Sequence, residues 1–245
     1  MNRNDQQAYD RGTSLYSPDG RIYQVEYARE AVKRGAPSVG VRTSDGVVLA
    51  AQSRAGSSLM VQESIEKLHK LDEHVGAASA GHVADARKLV DFARRESQSN
   101  RLRYGEAIGI ETLTKEITDL IQENTQRGGT RPYGAALLVG GIDATGPRLF
   151  GTDPSGTPHE WKAVAIGGGR ETIQDFLEEE YSEELTLEDG VSVAVGALMS
   201  ELEEAEAESL SVATISEEEG FQALTTEEIA AHLDDVDTDE PSDDE

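Results

Sequence analysis

The chain has 245 residues, 37% of them hydrophobic, with 24 glycines and no cysteine, a composition typical of a folded globular protein. Its formal net charge of -26 repels phosphate groups, which excludes a general nucleic-acid-binding protein and a protein held at an anionic membrane by a basic face. The lack of cysteine excludes disulfides, thiolate metal sites and a cysteine nucleophile. No stretch approaches the ~18 apolar residues of a membrane span, and the N-terminus lacks the apolar core of a signal peptide, so we expect a cytoplasmic protein.

The negative charge is concentrated in the last third of the chain. All 22 Lys and Arg lie at or before Arg170, whereas the 75 residues that follow hold 27 Asp and Glu. Only eight of these acids lie in residues 234–245, so an acidic tail alone does not account for the excess. A dense carboxylate surface stays hydrated in molar salt, where screening over about 3 Å removes its self-repulsion. We therefore predict a protein adapted to a high-salt cytoplasm.

In chain order, the first predicted elements are a helix and a hairpin. Ser17–Pro18–Asp19–Gly20 has the composition of a turn and precedes a helix that runs through Val32. The turn residues Asp45–Gly46 then join two short apolar strands. The two strands of this hairpin are predicted at 39–41 and 47–51. Two further strands are predicted around 65–71 and 75–80, and they are followed by amphipathic helices with apolar faces over 86–93 and 110–121.

The second half of the sequence repeats this alternation of strands and helices. Apolar runs separated by Gly and Pro predict strands at 135–139, 148–150 and 161–166. Helices with apolar faces over 173–181 and 191–202 follow, and the pattern Thr186-x-x-Asp189 is a capping box that opens the second. The predicted closing elements are a hairpin at 209–215 and 221–224, a short helix at 226–233 and a disordered acidic tail at 234–245.

Each predicted helix has a single apolar face to bury. This favours an α+β fold in which two antiparallel sheets pack face to face and are covered by helices. No Pro/Ser-rich linker interrupts the chain before residue 234, so we predict one domain. Its parts are an N-terminal segment and first helix (1–34), a core (35–233) and the tail (234–245).

Motifs for catalysis or metal binding are absent from the sequence. It contains no G-x-S-x-G, H-E-x-x-H or G-x-x-x-x-G-K-[ST] pattern. Gly167–Arg170 precedes a helix, but its spacing matches no phosphate-binding loop and favours a turn. The histidines have no metal-ligand spacing: His69, His74, His82, His159 and His232. We therefore predict neither a metal nor a cofactor.

The most specific motifs lie in the first 34 residues. The run SPDGRIYQVEYAREAV, residues 17–32, resembles the signature of proteasome α-type subunits, and Tyr9–Asp10–Arg11 stands where that family carries a YDR gate motif. The resemblance continues in order through Ser64–Lys67, Ala84–Arg87, Arg131–Gly134, Gly141–Asp143 and Gly146–Phe150. An ordered series from residue 8 to about 233 is specific, and together with the acidity it indicates a halophilic archaeal member.

The resemblance implies a four-layer α-β-β-α sandwich of the N-terminal-nucleophile hydrolase type, assembled into seven-membered rings. Its β-type relatives cut peptides with an N-terminal Thr, aided by an Asp and a Lys. The corresponding junction here is Gly35–Ala36, which has no hydroxyl, and Gln52 stands in place of the Asp. Only Lys67 falls near its catalytic counterpart, so we expect that this chain does not cut peptides itself.

The resemblance also implies three functional sites at matching positions. The gate residues are Tyr9, Asp10, Arg11, Pro18 and Tyr27. The pocket that docks the C-terminal tails of ATPase activators comprises Lys67, Gly81, His82 and Arg29. The pore loop is Arg127, Gly128 and Gly129, where Arg127 replaces a common aromatic residue and predicts a cationic constriction.

The implied partners are other α subunits in the ring, proteasome β subunits, activator tails and unfolded protein substrates in transit, with no nucleic acid and no membrane. Two other functions stay open at this point. One is an autonomous N-terminal-nucleophile hydrolase that is activated by removal of the N-terminal segment. The other is an acidic adaptor whose tail, residues 234–245, recruits basic partners.

The acidic surface leads to a testable prediction about salt. We expect the free energy of unfolding and the yield of assembled complex to rise from dilute buffer to molar KCl, because salt screens the repulsion between carboxylates. Thermal unfolding and native mass spectrometry across a KCl series measure both quantities. A protein that is fully assembled in low salt and gains nothing from molar KCl would contradict the high-salt interpretation.

Overall fold

Two five-stranded antiparallel sheets form the centre of the computed structural model, which describes residues 16–53, 57, 59–127, 129–202 and 206–238. Within these residues the six α-helices are α1 (Tyr23–Lys33), α2 (Val83–Tyr104), α3 (Ile110–Gln126), α4 (Arg170–Glu180), α5 (Leu187–Met199) and α6 (Thr226–Thr238). The strands are β1 (Ser38–Arg42), β2 (Gly46–Gln52), β3 (Leu68–Asp72), β4 (Val75–Gly81), β5 (Ala135–Asp143), β6 (Gly146–Thr152), β7 (Pro158–Glu160), β8 (Ala163–Ile166), β9 (Leu210–Ser216) and β10 (Gly220–Ala223). Short 3-10 turns lie at Gln62–Ser64 and Ala207–Ser209.

The strand order is β10-β9-β2-β1-β8 in the first sheet and β3-β4-β5-β6-β7 in the second. The predicted Asp45–Gly46 hairpin is confirmed: β1 pairs with β2 in a register that sets Gly40 opposite Leu49. The Thr43 side chain closes this turn, since its Oγ1 accepts a hydrogen bond from the Gly46 N–H at 3.0 Å.

Three apolar clusters divide the fold into four layers. Helices α4, α5 and α6 pack on the outer face of the first sheet, through residues such as Ile173, Leu198 and Ile229. Helices α2 and α3 cover the outer face of the second sheet. Between the two sheets lies a third cluster that includes Leu49, Leu138 and other strand residues. The predicted α+β sandwich of helix, sheet, sheet and helix layers is therefore confirmed.

The predicted turn at Ser17–Gly20 is present and begins α1. The Gly20 N–H donates to the Ser17 carbonyl at 2.8 Å, and the Ser17 hydroxyl donates to Asp19 Oδ1 at 2.6 Å. Pro18 occupies the second turn position, where its fixed φ is already suitable. The start of the first helix is thus held by local hydrogen bonds.

The strand predicted at 161–166 is wrong in its extent. Here the chain passes from one sheet to the other: β7 pairs with β6, and β8 pairs with β1. Trp161 lies at the crossing, where its backbone N–H donates to the Leu149 carbonyl at 2.9 Å and its ring packs against the cluster between the sheets. The apolar run therefore reflects burial between the sheets rather than one continuous strand.

The last helix is longer than the sequence predicted. Thr225 and Glu228 cap its N-terminus reciprocally, with the Thr225 N–H donating to Glu228 Oε2 at 2.7 Å and the Glu228 N–H donating to Thr225 Oγ1 at 3.3 Å. Ile229 and Leu233 are buried against the first sheet's helices, and the helix continues to Thr238. It extends five residues beyond the predicted end at 233, and residues 239–245 lie outside the described residues. None of the described helices is long and apolar enough to span a membrane.

The capping box of α5 is a confirmed sequence prediction with a measurable effect. Thr186 Oγ1 accepts from the Asp189 N–H at 3.2 Å, and Asp189 Oδ2 accepts from the Thr186 N–H at 3.1 Å. We expect Thr186→Ala to lower the free energy of unfolding by about 1 kcal/mol, because the Asp189 N–H loses its acceptor and Asp189 Oδ2 loses the hydrogen bond from the Thr186 hydroxyl. Denaturant titration in molar KCl measures this, with the helical residue Thr112→Ala as the matched control. Equal stability of the two variants would mean that the box contributes nothing.

Candidate functional site

The loop after α1 brings the start of β1 against the end of β4. A Cβ at Gly35 would lie 2.4 Å from the Gly81 backbone nitrogen, so these two glycines are in direct backbone contact. Beside them, Lys67 Nζ donates a hydrogen bond to the Ala36 carbonyl at 3.3 Å. Lys67 is only 7% exposed, and burial lowers its pKa to about 8. The predicted docking lysine is therefore a buried amine that lies at the Gly35–Ala36 peptide.

This arrangement lacks the nucleophile of a hydrolase. Ala36 has no hydroxyl, and its nitrogen is part of a peptide bond that continues back into α1. The next hydroxyl, on Ser38, is fully buried and donates to the Ser79 carbonyl at 2.9 Å. Gln52 offers an amide rather than a carboxylate, and its backbone N–H donates to the Pro37 carbonyl at 3.0 Å. A lysine without a nucleophile or a carboxylate cannot carry out the N-terminal-nucleophile reaction.

A serine–histidine pair that the sequence analysis missed lies nearby. Ser79 Oγ and His69 Nε2 are 3.2 Å apart on the adjacent strands β4 and β3, and both residues are buried. Burial lowers the pKa of the His69 ring to about 4, so the ring is neutral near pH 7. Neither residue lines any of the three cavities described below. The pair therefore links two strands, and no spacing in the sequence signals it.

Of the predicted gate residues, Pro18 and Tyr27 fall within the described structure, whereas Tyr9, Asp10 and Arg11 lie outside it. Tyr27 lies on α1 and is 48% exposed. It lines a first cavity of about 330 Å³ between α1, the start of α2 and the loop before β5. His82, Asp85 and Arg131 line the same cavity.

An ion pair fixes the floor of this first cavity. Asp85, which is buried in the first turn of α2, accepts from Arg131 Nη2 at 2.8 Å, from Arg131 Nη1 at 2.5 Å and from the Gly134 N–H at 2.9 Å. Burial acts to raise the pKa of Asp85, but these hydrogen bonds outweigh it and hold the pKa below its usual value. The loop before β5 is thus fastened to α2 by one carboxylate. The sequence analysis recognised the motifs Ala84–Arg87 and Arg131–Gly134, but it did not predict that Asp85 and Arg131 form an ion pair.

The predicted docking residues do not form one pocket within one chain. His82 lines the first cavity, and its ring would lie 2.6 Å from a Cβ at Gly134. Gly81 has φ +99° and its backbone lies against Gly134, where a Cβ would be 2.3 Å from the carbonyl oxygen. No larger residue fits at Gly81 without a shift of backbone.

Arg29 lies on α1, apart from the other predicted docking residues. Its guanidinium pairs with Asp153 at 2.8 Å and with Glu26 at 2.7 Å, and these hydrogen bonds and charges raise its pKa although burial acts to lower it. Arg29 lines a second cavity of about 710 Å³, which extends to the start of α4. The structure therefore places His82 at the first cavity and Gly81 just before it in the chain, buries Lys67 at the Gly35–Ala36 peptide and separates Arg29.

The predicted pore loop follows α3. Arg127 is exposed, and its Nη2 donates to Glu123 Oε2 one turn earlier at 2.9 Å. Thr130 Oγ1 donates to the Arg127 carbonyl at 2.8 Å, and Gly129 has φ +85°, a left-handed conformation that favours glycine. Gly128 lies outside the described residues. Because Glu123 accompanies Arg127, the loop carries an ion pair rather than an isolated cation.

A third cavity, of about 480 Å³, is strongly acidic. Asp143 and Glu217–Glu219 line it together with His74. Across the described residues, no group of three His, Asp or Glu side chains is placed to hold a metal ion.

The comparisons with known proteins agree with these observations. A family model described as "Proteasome subunit" matches residues 32–215, and the model of the N-terminal signature of A-type proteasome subunits matches residues 9–31. The chain is 66% identical to the proteasome alpha 2 subunit of Haloferax volcanii, over 99% of this chain and 97% of that protein. It is 61% identical to the proteasome alpha 1 subunit of Haloarcula marismortui (99% and 95% covered) and 56% identical to the proteasome alpha subunit of Natronomonas pharaonis (99% and 96% covered). The Lys67 site without a nucleophile and the matched N-terminal signature lead to one conclusion: the chain belongs to the proteasome subunit family, as one of its non-catalytic α subunits.

Proposed function

We propose that this α subunit forms the outer seven-membered ring of a proteasome core, gates the entry of unfolded protein and docks the C-terminal tails of ATPase activators. The observation that carries the proposal is that Ala36, beside the Lys67 amine, has no hydroxyl with which the chain could cut the Gly35–Ala36 bond. Without that cleavage the N-terminal segment stays attached to the sandwich through α1. A gate needs such a retained segment, whereas a hydrolase of this type must lose it.

The anchoring of α1 supports the gating part of the proposal. Val25, Ala28 and Val32 are buried beneath the helix, and hydrogen bonds within the Ser17–Gly20 turn fix the residues that precede it. Residues 1–15 therefore precede a rigid base. Tyr16 and Tyr27 are exposed at this base and offer aromatic surface with hydroxyl groups to the next copy in a ring. In this proposal Tyr9, Asp10 and Arg11 meet Pro18 and Tyr27 across the boundary between two copies.

The buried amine of Lys67 supports the docking part. A terminal carboxylate that reaches Lys67 Nζ would form a charge-assisted hydrogen bond in a site with little water. Gly81 leaves room for an incoming backbone, whereas His82 presents an imidazole instead of an apolar wall. Arg29 lines the second cavity, where it pairs with Glu26 and Asp153, and is therefore left out of this docking site. The pore loop at Arg127, Gly128 and Gly129 would surround the entrance with Arg–Glu pairs.

The two other functions have less support. An autonomous hydrolase would need a hydroxyl at the position of Ala36 and a carboxylate at Gln52, and the chain has neither. An adaptor acting through residues 234–245 stays a proposal without structural support. We place the working protein in the cytoplasm with proteasome β subunits, activators and unfolded substrates as its partners.

Removal of the gate segment is the direct test of gating. We expect deletion of residues 2–12 to speed degradation of long unfolded polypeptides by the assembled core several-fold, because the entrance loses its barrier, with no change for short peptides. Fluorescent casein and a short fluorogenic peptide, assayed with the same preparation, measure the two rates. Equal rates on casein for the full and shortened chains would contradict gating.

The pKa of Lys67 predicts how docking depends on pH. A carboxylate-ended activator peptide should bind about tenfold more weakly for each pH unit above about 8, because the amine is charged below its lowered pKa and neutral above it. Fluorescence anisotropy of a labelled tail peptide on the assembled core, from pH 6 to 10, measures this.

Three controls accompany the docking test. Lys67→Ala should weaken binding and abolish its pH dependence, and an amide-ended peptide should show none, whereas Lys70→Ala removes a nearby exposed lysine and should bind normally. Normal binding by Lys67→Ala would contradict the docking role. Failure of that variant to assemble would instead make Lys67 a structural residue.

A further inference from the structure

Three consecutive apolar side chains project from the surface between β2 and β3. Leu59, Met60 and Val61 are 92%, 50% and 65% exposed, and we call them the apolar knob. Hydrogen bonds hold the backbone that carries them. The Met60 N–H donates to the Ser57 carbonyl at 3.0 Å, and the Ser64 hydroxyl donates to the Val61 carbonyl at 2.6 Å. Exposed apolar residues in a fixed conformation favour contact with a partner.

The apolar knob lies on one flank of the sandwich. Its loop leads into β3, the edge strand of the second sheet, and Gln62 Nε2 donates to the Glu208 carbonyl at 3.2 Å, just before β9. Strands β9 and β10 form the same side of the first sheet, since the Phe221 ring of β10 lies over Gly76 of β4. The knob therefore stands at the β3/β10 flank.

The second cavity lies on the opposite flank. It is bounded by the ends of β6 and β8 and by the start of α4, and β8 and β7 are the far edges of the two sheets. Val32, Ala136 and Ile166 contribute its apolar part, and Thr172 lies on its exposed rim. The first cavity, in contrast, includes His82, which follows β4, and Gly134, which precedes β5, and neither of these strands is an edge strand.

A closed ring of identical chains requires two different surfaces, one on each flank of every copy. Resting on the proposed ring, we infer that the apolar knob of one copy seats in the second cavity of the next copy of this chain. Residues 57–62 carry no charge, so the knob adds none to the cavity, where Arg29 is paired with Asp153. The other charged residues that line the cavity are Lys33, Arg170, Glu171, Asp175 and Glu201. Burial of the three apolar side chains removes them from water and stabilises the contact.

Cysteine cross-linking tests this contact cleanly, because the chain has no cysteine of its own. A chain with both Leu59→Cys and Thr172→Cys, purified in molar KCl and treated with a short bismaleimide, should give covalent multimers in a ladder up to the full ring. Each single variant should stay monomeric in a denaturing gel, because a head-to-tail contact never joins two copies of the same position. Leu102→Cys with Thr172→Cys is the matched control, since Leu102 is 87% exposed but lies at the far end of α2.

Native mass spectrometry of the same samples separates failure of this contact from failure of the ring. Rings without covalent multimers in the Leu59→Cys/Thr172→Cys chain would overturn the knob-and-cavity contact and leave the ring intact. Dimers from Leu59→Cys alone would also overturn it, because they indicate a two-fold contact. No species above the monomer in molar KCl, for the unmodified chain, would overturn both proposals.

A second variant tests the energetic role of the knob. Leu59→Asp should lower the fraction of assembled ring about tenfold at a concentration where the unmodified ring is half dissociated, while Leu102→Asp leaves it unchanged. The circular dichroism spectra should match that of the unmodified chain, because Leu59 makes no contribution to the core. Normal ring assembly by Leu59→Asp would contradict the inference.

Discussion

The contact among three glycine backbones determines how the rest of this structure is arranged. Gly35, Gly81 and Gly134 lie one on another, with a Cβ at Gly35 only 2.4 Å from Gly81 and a Cβ at Gly81 only 2.3 Å from Gly134. Through them the segment after α1, the end of β4 and the start of β5 approach more closely than side chains allow. The position of α1 over the two sheets, and of every residue carried by α1, follows from this contact.

The same contact fixes both the position of the Gly35–Ala36 peptide and the groups that surround it. Because Gly35 is held against Gly81, the Ala36 carbonyl faces Lys67, and the lysine donates to a main-chain oxygen instead of assisting a nucleophile. A free N-terminus at Ala36 would remove the covalent link between α1 and the sandwich. Retention of α1 and lack of a catalytic nucleophile are thus both expected from the missing hydroxyl at Ala36, and burial leaves the Lys67 amine poorly solvated.

Local chemistry predicted much of the fold, because several elements are specified by neighbouring residues. The Asp45–Gly46 hairpin, the Ser17–Gly20 turn and the Thr186–Asp189 capping box all depend on residues within four positions of one another. Features that depend on distant partners were missed. Asp85 and Arg131 are 46 positions apart, and neither the pairing nor the burial of Lys67 leaves a pattern in the sequence. The crossing at Trp161 was missed for a related reason, since burial between two sheets and burial within one strand produce the same apolar run. The predicted gate residues of the N-terminal segment, the predicted docking of tails and the tail beyond Thr238 stay predictions.

The distribution of ion pairs gives the acidic half of the chain a physical role. Several cations before residue 171 are paired with acids of the same region, as in Arg131–Asp85, Arg29–Asp153 and Arg148–Glu160. In the described part of the chain, Glu183 is the one acid after residue 170 that forms an ion pair with a Lys or Arg, namely Lys162. The other described acids of the α4–α6 layer form no ion pair with a Lys or Arg of the described residues, although those in the first turns of helices are favoured by the helix dipole. On the α1 side of the molecule Arg29 is paired with acids, whereas the buried Lys67 donates to the Ala36 carbonyl and forms no ion pair within the described residues. The outer helical layer concentrates unbalanced charge, which holds water and responds to salt.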